Sequence, residues 1–439
     1  MLISALPLYS SAKDPEFGLD AQPSNFSQSH VSLHLLLQKV IHDHPQVKSQ
    51  VLAMQAAGQD VRIAQQAYWP TPSVALEHAQ SQAIDPAYAG SPQVLTLKLQ
   101  QPLWTGGRLT ALTNKALASE AIESARLLEI QQSLALRALQ TWTDVVSSQR
   151  QQAILRGSEA TQTDLLKKIQ RRVDQGLSSQ SEANYSSLRL QQVKQELSNA
   201  HHQENQAWIR LKQWDPDIQN MPPGLSIQSD ENTPLNSSEL AARIGKLSST
   251  QWEQLSLEQS PLVNRFENVS RQQQAELDEK RAALLPEIYV RAEHQRGNFA
   301  YGNLQPMNRV FVGLTASTGA GLSLSHQLEA LQIKRHGTLE DIAASKRTVV
   351  EAIQADVMNA NARQSKLTAL QFNLESSQEM QAAWERQFIN GKKTWIDVMN
   401  AARETTQAEL AVLENDMALL QSYWRLQIQA YGVLRWVAP

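Results

Sequence analysis

The chain has 439 residues, of which 40 are Lys or Arg and 43 are Asp or Glu, so its formal net charge is −3. This near balance excludes the broad basic field of a nucleic-acid-binding protein, and the absence of cysteine excludes disulfides and thiolate metal sites. Aromatic residues make up only 6% of the chain, which favours long helices over a thick globular core. No apolar run reaches the length of a transmembrane helix.

The first predicted segment is an N-terminal tail at residues 1–31. It begins MLISALPLYSSA, a short apolar run that ends in small residues. Such a run is typical of the end of a secretory signal, but no basic residue precedes it. Two interpretations stay open, the remnant of a signal and a disordered leader.

A first repeat unit is predicted at residues 32–213, where strands follow from period-two alternation and helices from long stretches with few breakers. The unit contains, in order, a helix at 32–67, strands at about 73–82 and 93–103, a long helix at about 108–175 and a helix at 179–213. The long helix spans roughly 100 Å at 1.5 Å per residue.

A linker and a second unit follow. Residues 214–250 are rich in Pro, Ser and Asn and predict a linker with little regular structure between the two units. The second unit, at 251–431, contains a helix at 252–285, strands at about 287–296 and 309–318, a long helix at about 324–390 and a helix at 394–431. Residues 432–439 form a C-terminal tail.

The two units are related by a nearly constant offset. It is 216 residues between Pro45 and Pro261 and between Pro70 and Pro286, and 215 between Gly176 and Gly391. A constant offset over a whole half-chain indicates a tandem duplication.

The four predicted strands have the length and pattern of membrane strands. Leu95, Leu97 and Leu99 alternate with polar residues, and 9–11 residues suffice for a tilted strand to cross a bilayer. Four strands cannot close a barrel of useful size, so a membrane interpretation requires an oligomer. The alternative on patterning alone is two hairpins in a soluble α+β domain.

These features together resemble the TolC family of outer-membrane channel proteins. The resemblance rests on the duplication, on AYWP and ALLP before the first strand of each unit, and on PLWTGGRL after the second strand. It implies a mainly α fold with a membrane β-barrel portion: a homotrimer in which four strands per chain close a twelve-stranded barrel above a long coiled-coil α-barrel in the periplasm.

The resemblance also assigns a swivel between membrane strand and periplasmic helix. In the first unit it comprises Pro102, Gly106 and Gly107. The second unit has no proline at the matching place, where STGAGL contains Gly319 and Gly321.

Two further sites are implied at the periplasmic end. The helix-hairpin tips are expected to dock an adaptor protein through Gly176, Leu177, Gly391 and Lys392. The pore gate is expected to comprise Glu182, Lys393, Asp397 and Asn400, with the two acidic residues six positions past their glycines. The alternative for each gate residue is that it is an ordinary solvated helix residue with no role in gating.

The predicted function is a passive exit duct in the bacterial outer membrane. The implied partners are a periplasmic adaptor, an inner-membrane ABC or other transporter, outer-membrane lipid and the exported cargo. The tip RQFINGKKTWIDVMNAARE looks most like channels for type I secretion of large adhesins. Small-molecule efflux is the second choice, and a soluble coiled-coil scaffold is the alternative from another class. No catalytic set, metal-binding spacing or cofactor site is predicted.

Overall fold

The computed structural model describes residues 33–80, 86–214, 237–302, 305–316 and 321–433. The predicted leader at 1–31 and most of the tail at 432–439 lie outside this part. In unit one the elements are α1 Leu33–Asp43, α2 Pro45–Gln66, β1 Thr71–His78, β2 Gln93–Trp104, α3 Arg108–Asp174 and α4 Gln180–Lys212. After α5 Ser237–Ile244, unit two contains α6 Ser249–Gln259, α7 Pro261–Ala282, β3 Glu287–Arg296, β4 Met307–Thr315, α8 Leu324–Ile389 and α9 Trp395–Tyr431.

The first helix of each unit is broken, which differs from the single helix predicted at 32–67 and at 252–285. In both units an 11-residue helix is followed by a 22-residue one that starts at a proline. The residue before a proline is forced out of the helical region, and His44 and Ser260 accordingly have ψ values of 135° and 113°. The break is therefore dictated by Pro45 and Pro261.

The predicted linker is not wholly irregular. Ser237–Ile244 forms α5, whose Leu240, Ala241 and Ile244 are buried. This short apolar stripe packs on α8 and α9, so burial stabilises a helix that the polar composition of the segment obscured. Residues 215–236 lie outside the described part.

Each long helix packs beside shorter ones. The 67-residue α3 contacts α2 and α4 of its own unit and also α7 of the other, and the 66-residue α8 contacts α6, α7 and α9. The largest core cluster lies where α1, α5 and α6 meet the long helices, around Trp142, Trp252 and Trp424. Among the described residues, no helix combines the length and the apolarity that crossing a membrane requires.

The four strands form one antiparallel sheet in the order β1-β2-β3-β4. Leu97 of β2 pairs with Val74 on one side and with His294 on the other. The predicted fold class is thus observed, a mainly helical chain with four antiparallel strands contributed by two like units.

Candidate functional site

One face of the sheet is apolar and exposed. The cross-strand partners Val74 and Leu97, and likewise Val290 and Val312, lie on this face because directly opposed residues point to the same side. The most exposed members are Val74 at 71%, Leu76 at 72%, Val310 at 74% and Val312 at 77%. His294 and its cross-strand partner Asn308 are polar members of this face toward the loop end. An exposed face that is otherwise apolar marks contact with lipid or with protein.

The other face is polar and more enclosed. It contains Lys98, Arg291, Glu293 and Arg309, all of them partly buried. The Arg291 guanidinium lies 4.7 Å from the ring centre of Phe311, and its Nε is 3.6 Å from Glu293 Oε2. The crowding of this face relative to the apolar one indicates that the sheet curves with its polar side inward.

Both outer strands have an open edge. Among the described residues, β1 pairs only with β2 and β4 only with β3. An exposed edge strand with apolar side chains is a template for pairing with another chain.

Exposed aromatic side chains lie near both ends of the sheet. Trp69 and Trp104 lie beside the helices at exposures of 71% and 46%, while Tyr88 and Tyr301 lie in the connections at the opposite end at 49% and 66%. Aromatic bands at two levels are typical of the two interfaces of a membrane barrel.

The strand-to-helix junction of unit one is shaped by its two glycines. Gly106 and Gly107 have φ values of +64° and +89°, a region that favours glycine. A Cβ on Gly106 would lie 2.5 Å from Leu285 Cβ, whereas nothing lies within 4 Å of a Cβ on Gly107. Arg108, the first helical residue, pairs with Glu287 at the start of β3 across 3.1 Å.

The other predicted swivel residues lie as follows. Pro102 is inside β2, paired with Tyr289, and a register shift follows it before Trp104. The irregular segment therefore begins at Thr105, later than the predicted Pro102. In unit two, Gly321 has a φ of +56°, and Gly319 lies outside the described residues.

The two hairpin tips have the same backbone geometry. Gly176 and Gly391 have φ values of +72° and +70°. The amide of each glycine donates to a carbonyl three residues back, and the amides of Leu177 and Lys392 donate to Arg172 and Gln387 five residues back. This is the Schellman ending, in which a left-handed glycine closes a helix.

The acidic gate candidates act as helix caps. Glu182 Oε2 accepts from the Ser179 amide at 3.0 Å, and Asp397 Oδ2 accepts from the Thr394 amide at 3.0 Å. Each is the third residue of its helix, α4 or α9, and completes a capping box with the residue just before that helix. Hydrogen bonds from the Thr394 backbone and hydroxyl, with a smaller effect of the Lys393 charge, lower the pKa of Asp397. Both acidic residues lie six positions past their tip glycine because the two hairpins have the same turn and the same capping box.

The basic gate candidate contacts its own hairpin. Lys393 Nζ lies 4.1 Å from the ring centre of Trp384, a cation–π contact. Within the described part of one chain no ion pair joins Lys393 to Glu182. Asn400 is partly buried beside the buried Met399.

Sequence reasoning missed the residue that joins the two hairpins. Trp395 is 1% exposed, and its Nε1 donates to Ser186 Oγ of the other unit at 2.5 Å. Its ring lies 4.8 Å from that of Phe388. The apolar cluster around it also contains Leu165, Ile169, Ala183, Val398, Met399 and Ala402. A Trp directly after a capping Thr was the available signal, but its partners are about 200 residues away in the sequence.

No group of three or more His, Asp or Glu side chains suited to a metal ion occurs in the part of the chain that the structure describes.

Comparison with known proteins agrees with this geometry. The profile of the family described as Outer membrane efflux protein matches residues 36–215 and 252–430. Each match covers one repeat unit, so the duplication is confirmed.

Individual relatives are distant. The chain is 20% identical over 350 residues to the Alkaline protease secretion protein AprF of Pseudomonas aeruginosa. The alignment covers 78% of this chain and 70% of AprF. It superposes on the outer membrane protein VceC of Vibrio cholerae with a TM-score of 0.74 at 13% identity, covering 91% of this chain and 96% of VceC. The CmeC outer membrane channel of Campylobacter jejuni gives 0.73 at 13% identity, with 98% and 94% covered. At these identities the two solved structures show the fold alone.

Proposed function

Because the chain belongs to the outer membrane efflux protein family, we propose that it is the passive exit duct of a type I protein secretion system. The family consists of channels rather than enzymes. The chain is an outer-membrane protein with a periplasmic helical portion, which sets aside the soluble scaffold alternative.

The observation that best supports a role as an exit duct is the sheet with its exposed apolar face and two open edges. Channels of this family form trimers in tripartite systems. Three copies joined through β4 of one chain and β1 of the next give twelve antiparallel strands, an even number that closes a barrel. The polar face then lines the lumen, and α3 and α8 extend the duct into the periplasm. Gly106, Gly107 and Gly321, with Pro102 inside its strand, form the swivel between the two parts.

The hairpin tips are the proposed docking surface for a periplasmic adaptor. The proposed docking residues are Gly176, Leu177, Gly391 and Lys392. The tips also expose apolar side chains: Leu177 itself is 62% exposed, and Ile389 and Ile396 near the second tip are 69% and 52% exposed. Exposed apolar groups around a turn of fixed geometry suit docking by another helical hairpin. The adaptor links the duct to an inner-membrane ABC transporter.

The gate is proposed at the same end. Three copies each of Glu182 and Asp397 form an acidic ring, and Asn400 keeps its charge below that of a fully acidic entrance. Lys393 faces its own Trp384, so any closing ion pair with Glu182 joins neighbouring copies.

Protein cargo is proposed on the likeness to AprF, whose name contains protease secretion. The description of the family as efflux proteins favours small molecules as the second candidate. Deleting the gene and comparing the extracellular proteome with resistance to toxic compounds separates the two. Loss of a secreted protein with unchanged resistance supports secretion, and unchanged secretion with lost resistance supports efflux.

A further inference from the structure

The polar face of the sheet concentrates positive charge at mid-depth. Lys98 and Arg309 flank Glu293 as its cross-strand partners, and Arg291 lies two residues away on the same strand. Other acidic side chains of this face lie toward its ends, with Glu77 at the loop end and Glu287 paired to Arg108 at the helix end. The middle band thus carries three cations and one anion, a net charge of +2 per chain.

The single carboxylate cannot pair with all three cations. The Nε atoms of Arg291 and Arg309 are buried and have no hydrogen-bond partner. Glu293 forms an ion pair with Arg291 across 3.6 Å, too long for a hydrogen bond, and Arg309 donates to the amide oxygen of Gln295 rather than to a carboxylate. Among the described residues, Lys98 and Arg309 form no ion pair, so the band has excess positive charge that attracts carboxylates. A guanidinium can bind a carboxylate in bidentate fashion.

We infer that Lys98, Arg291 and Arg309 form a cationic band that binds carboxylate groups of acidic polypeptide inside the barrel. The inference rests on the proposed trimeric duct, where the band carries six net positive charges. The charge of the band is opposite in sign to that of the acidic tips. The low-dielectric walls of a barrel focus the electric field of such a band. An acidic segment that has passed the tips is attracted forward into the outer part of the duct.

The test uses the full-length trimer in planar bilayers with a ten-residue polyglutamate peptide as the probe. Added from the barrel side, the peptide is expected to block the current. The double variant Arg291→Gln, Arg309→Gln should raise the half-blocking concentration at least about tenfold. The matched comparison is between Arg291→Gln alone and Arg296→Gln, because each removes one charge per chain from β3 but on opposite faces.

Two further variants protect the test against misfolding. The double variant Arg291→Lys, Arg309→Lys retains the charge and should keep the block. Glu293→Gln adds one net charge per chain and should strengthen the block, a gain that a damaged barrel does not produce.

The outcomes separate this inference from the proposed function. A conducting wild-type trimer that polyglutamate does not block from the barrel side overturns the cationic band while the duct stands. Equal relief of block in Arg296→Gln also overturns it, because the effect then does not depend on the face. A wild-type trimer without conductance overturns the duct itself.

Discussion

At the scale of single residues, two adjacent glycines are needed for different reasons. Both have a backbone conformation that favours glycine, but only one of them has no room for a side chain. Gly106 and Gly107 both have positive φ, but only Gly106 faces a close neighbour, Leu285. The neighbour belongs to the loop between α7 and β3, so Gly106 lets the two units pack together where strand becomes helix.

The first prediction compares alanine at these two positions. Both variants carry the penalty of a left-handed alanine, about 1–2 kcal/mol. Gly106→Ala adds a clash with Leu285 Cβ and should lower the amount of assembled trimer in the outer membrane well below that of Gly107→Ala. Equal trimer levels, measured by semi-native electrophoresis, would show that the contact with Leu285 does not matter.

The second prediction separates the charge of Asp397 from its capping role. Asp397→Asn keeps an oxygen that can accept from the Thr394 amide but removes charge from the proposed ring, so block by a trivalent cation from the periplasmic side should weaken. Thr394→Ala removes the cap hydroxyl, costs about 1 kcal/mol of stability and should leave block unchanged. The reverse pattern would assign Asp397 to capping alone.

The pH dependence of that block follows from the lowered pKa of Asp397. A carboxylate with a depressed pKa stays charged as the pH falls and loses its charge only on passing the depressed value. Cation block should therefore persist at pH values where an ordinary aspartate is already half protonated. Loss of block at a higher pH would contradict the assignment.

At the scale of elements, α8 and α9 are joined by an ion pair between the buried Asp356 and Arg425, whose side chain is 43% exposed. Asp356 is 5% exposed, and the Arg425 Nε lies 3.1 Å from its Oδ2. Burial raises the pKa of Asp356, and Arg425 offsets only part of that effect. Removing Arg425 alone leaves the buried carboxylate of Asp356 without a charged partner, which costs more stability than replacing both residues.

The third prediction tests this pair by thermal unfolding of the solubilised trimer. Arg425→Ala should destabilise the protein by about 1–2 kcal/mol at pH 7, because solvent screens the half-exposed Arg425 while Asp356 is left buried without its partner. Without Arg425 the pKa of Asp356 rises further, and an acid with a raised folded-state pKa gains stability as the pH falls, so the loss should shrink at pH 5. Adding Asp356→Asn should restore much of the stability at pH 7. A loss independent of pH would point to packing rather than charge.

The fourth prediction tests which face of β2 meets lipid. Leu97→Arg should hinder insertion by about 2–4 kcal/mol if the side chain lies near the midplane. The neighbouring Thr96→Arg places the same group on the polar face and should insert normally. Outer-membrane levels of the two variants give the answer, and equal levels would contradict the face assignment.

Periodicity accounts for how much of the architecture could be predicted. Alternation of apolar and polar residues identified the four strands, and long stretches with few breakers identified the long helices, because both patterns are local. The breaks before Pro45 and Pro261 were also locally encoded and were overlooked. The spacing of Ser179 to Glu182 and of Thr394 to Asp397 already matched a capping box. The burial of Trp395 could not be predicted, because it depends on Ser186 and Leu165 of the other unit.

At the scale of the whole molecule, a sheet with two open edges and an exposed apolar face is incomplete as a single copy. The helices lead to the same requirement, since a rod of roughly 100 Å buries too little by itself. The central claim is therefore that β4 of one copy pairs with β1 of the next to close a twelve-stranded barrel.

Disulfide cross-linking in the outer membrane tests this claim most directly, since the native chain has no cysteine. Ser73→Cys on β1 is combined in turn with Phe311→Cys or Thr315→Cys on β4, all on the polar face. Thr96→Cys on the central β2 replaces Ser73→Cys in the control. The account predicts oxidised dimers and trimers for at least one β1–β4 combination and only monomer for the control. Monomer throughout, or equal linking from Thr96→Cys, would contradict a barrel closed through these two edges.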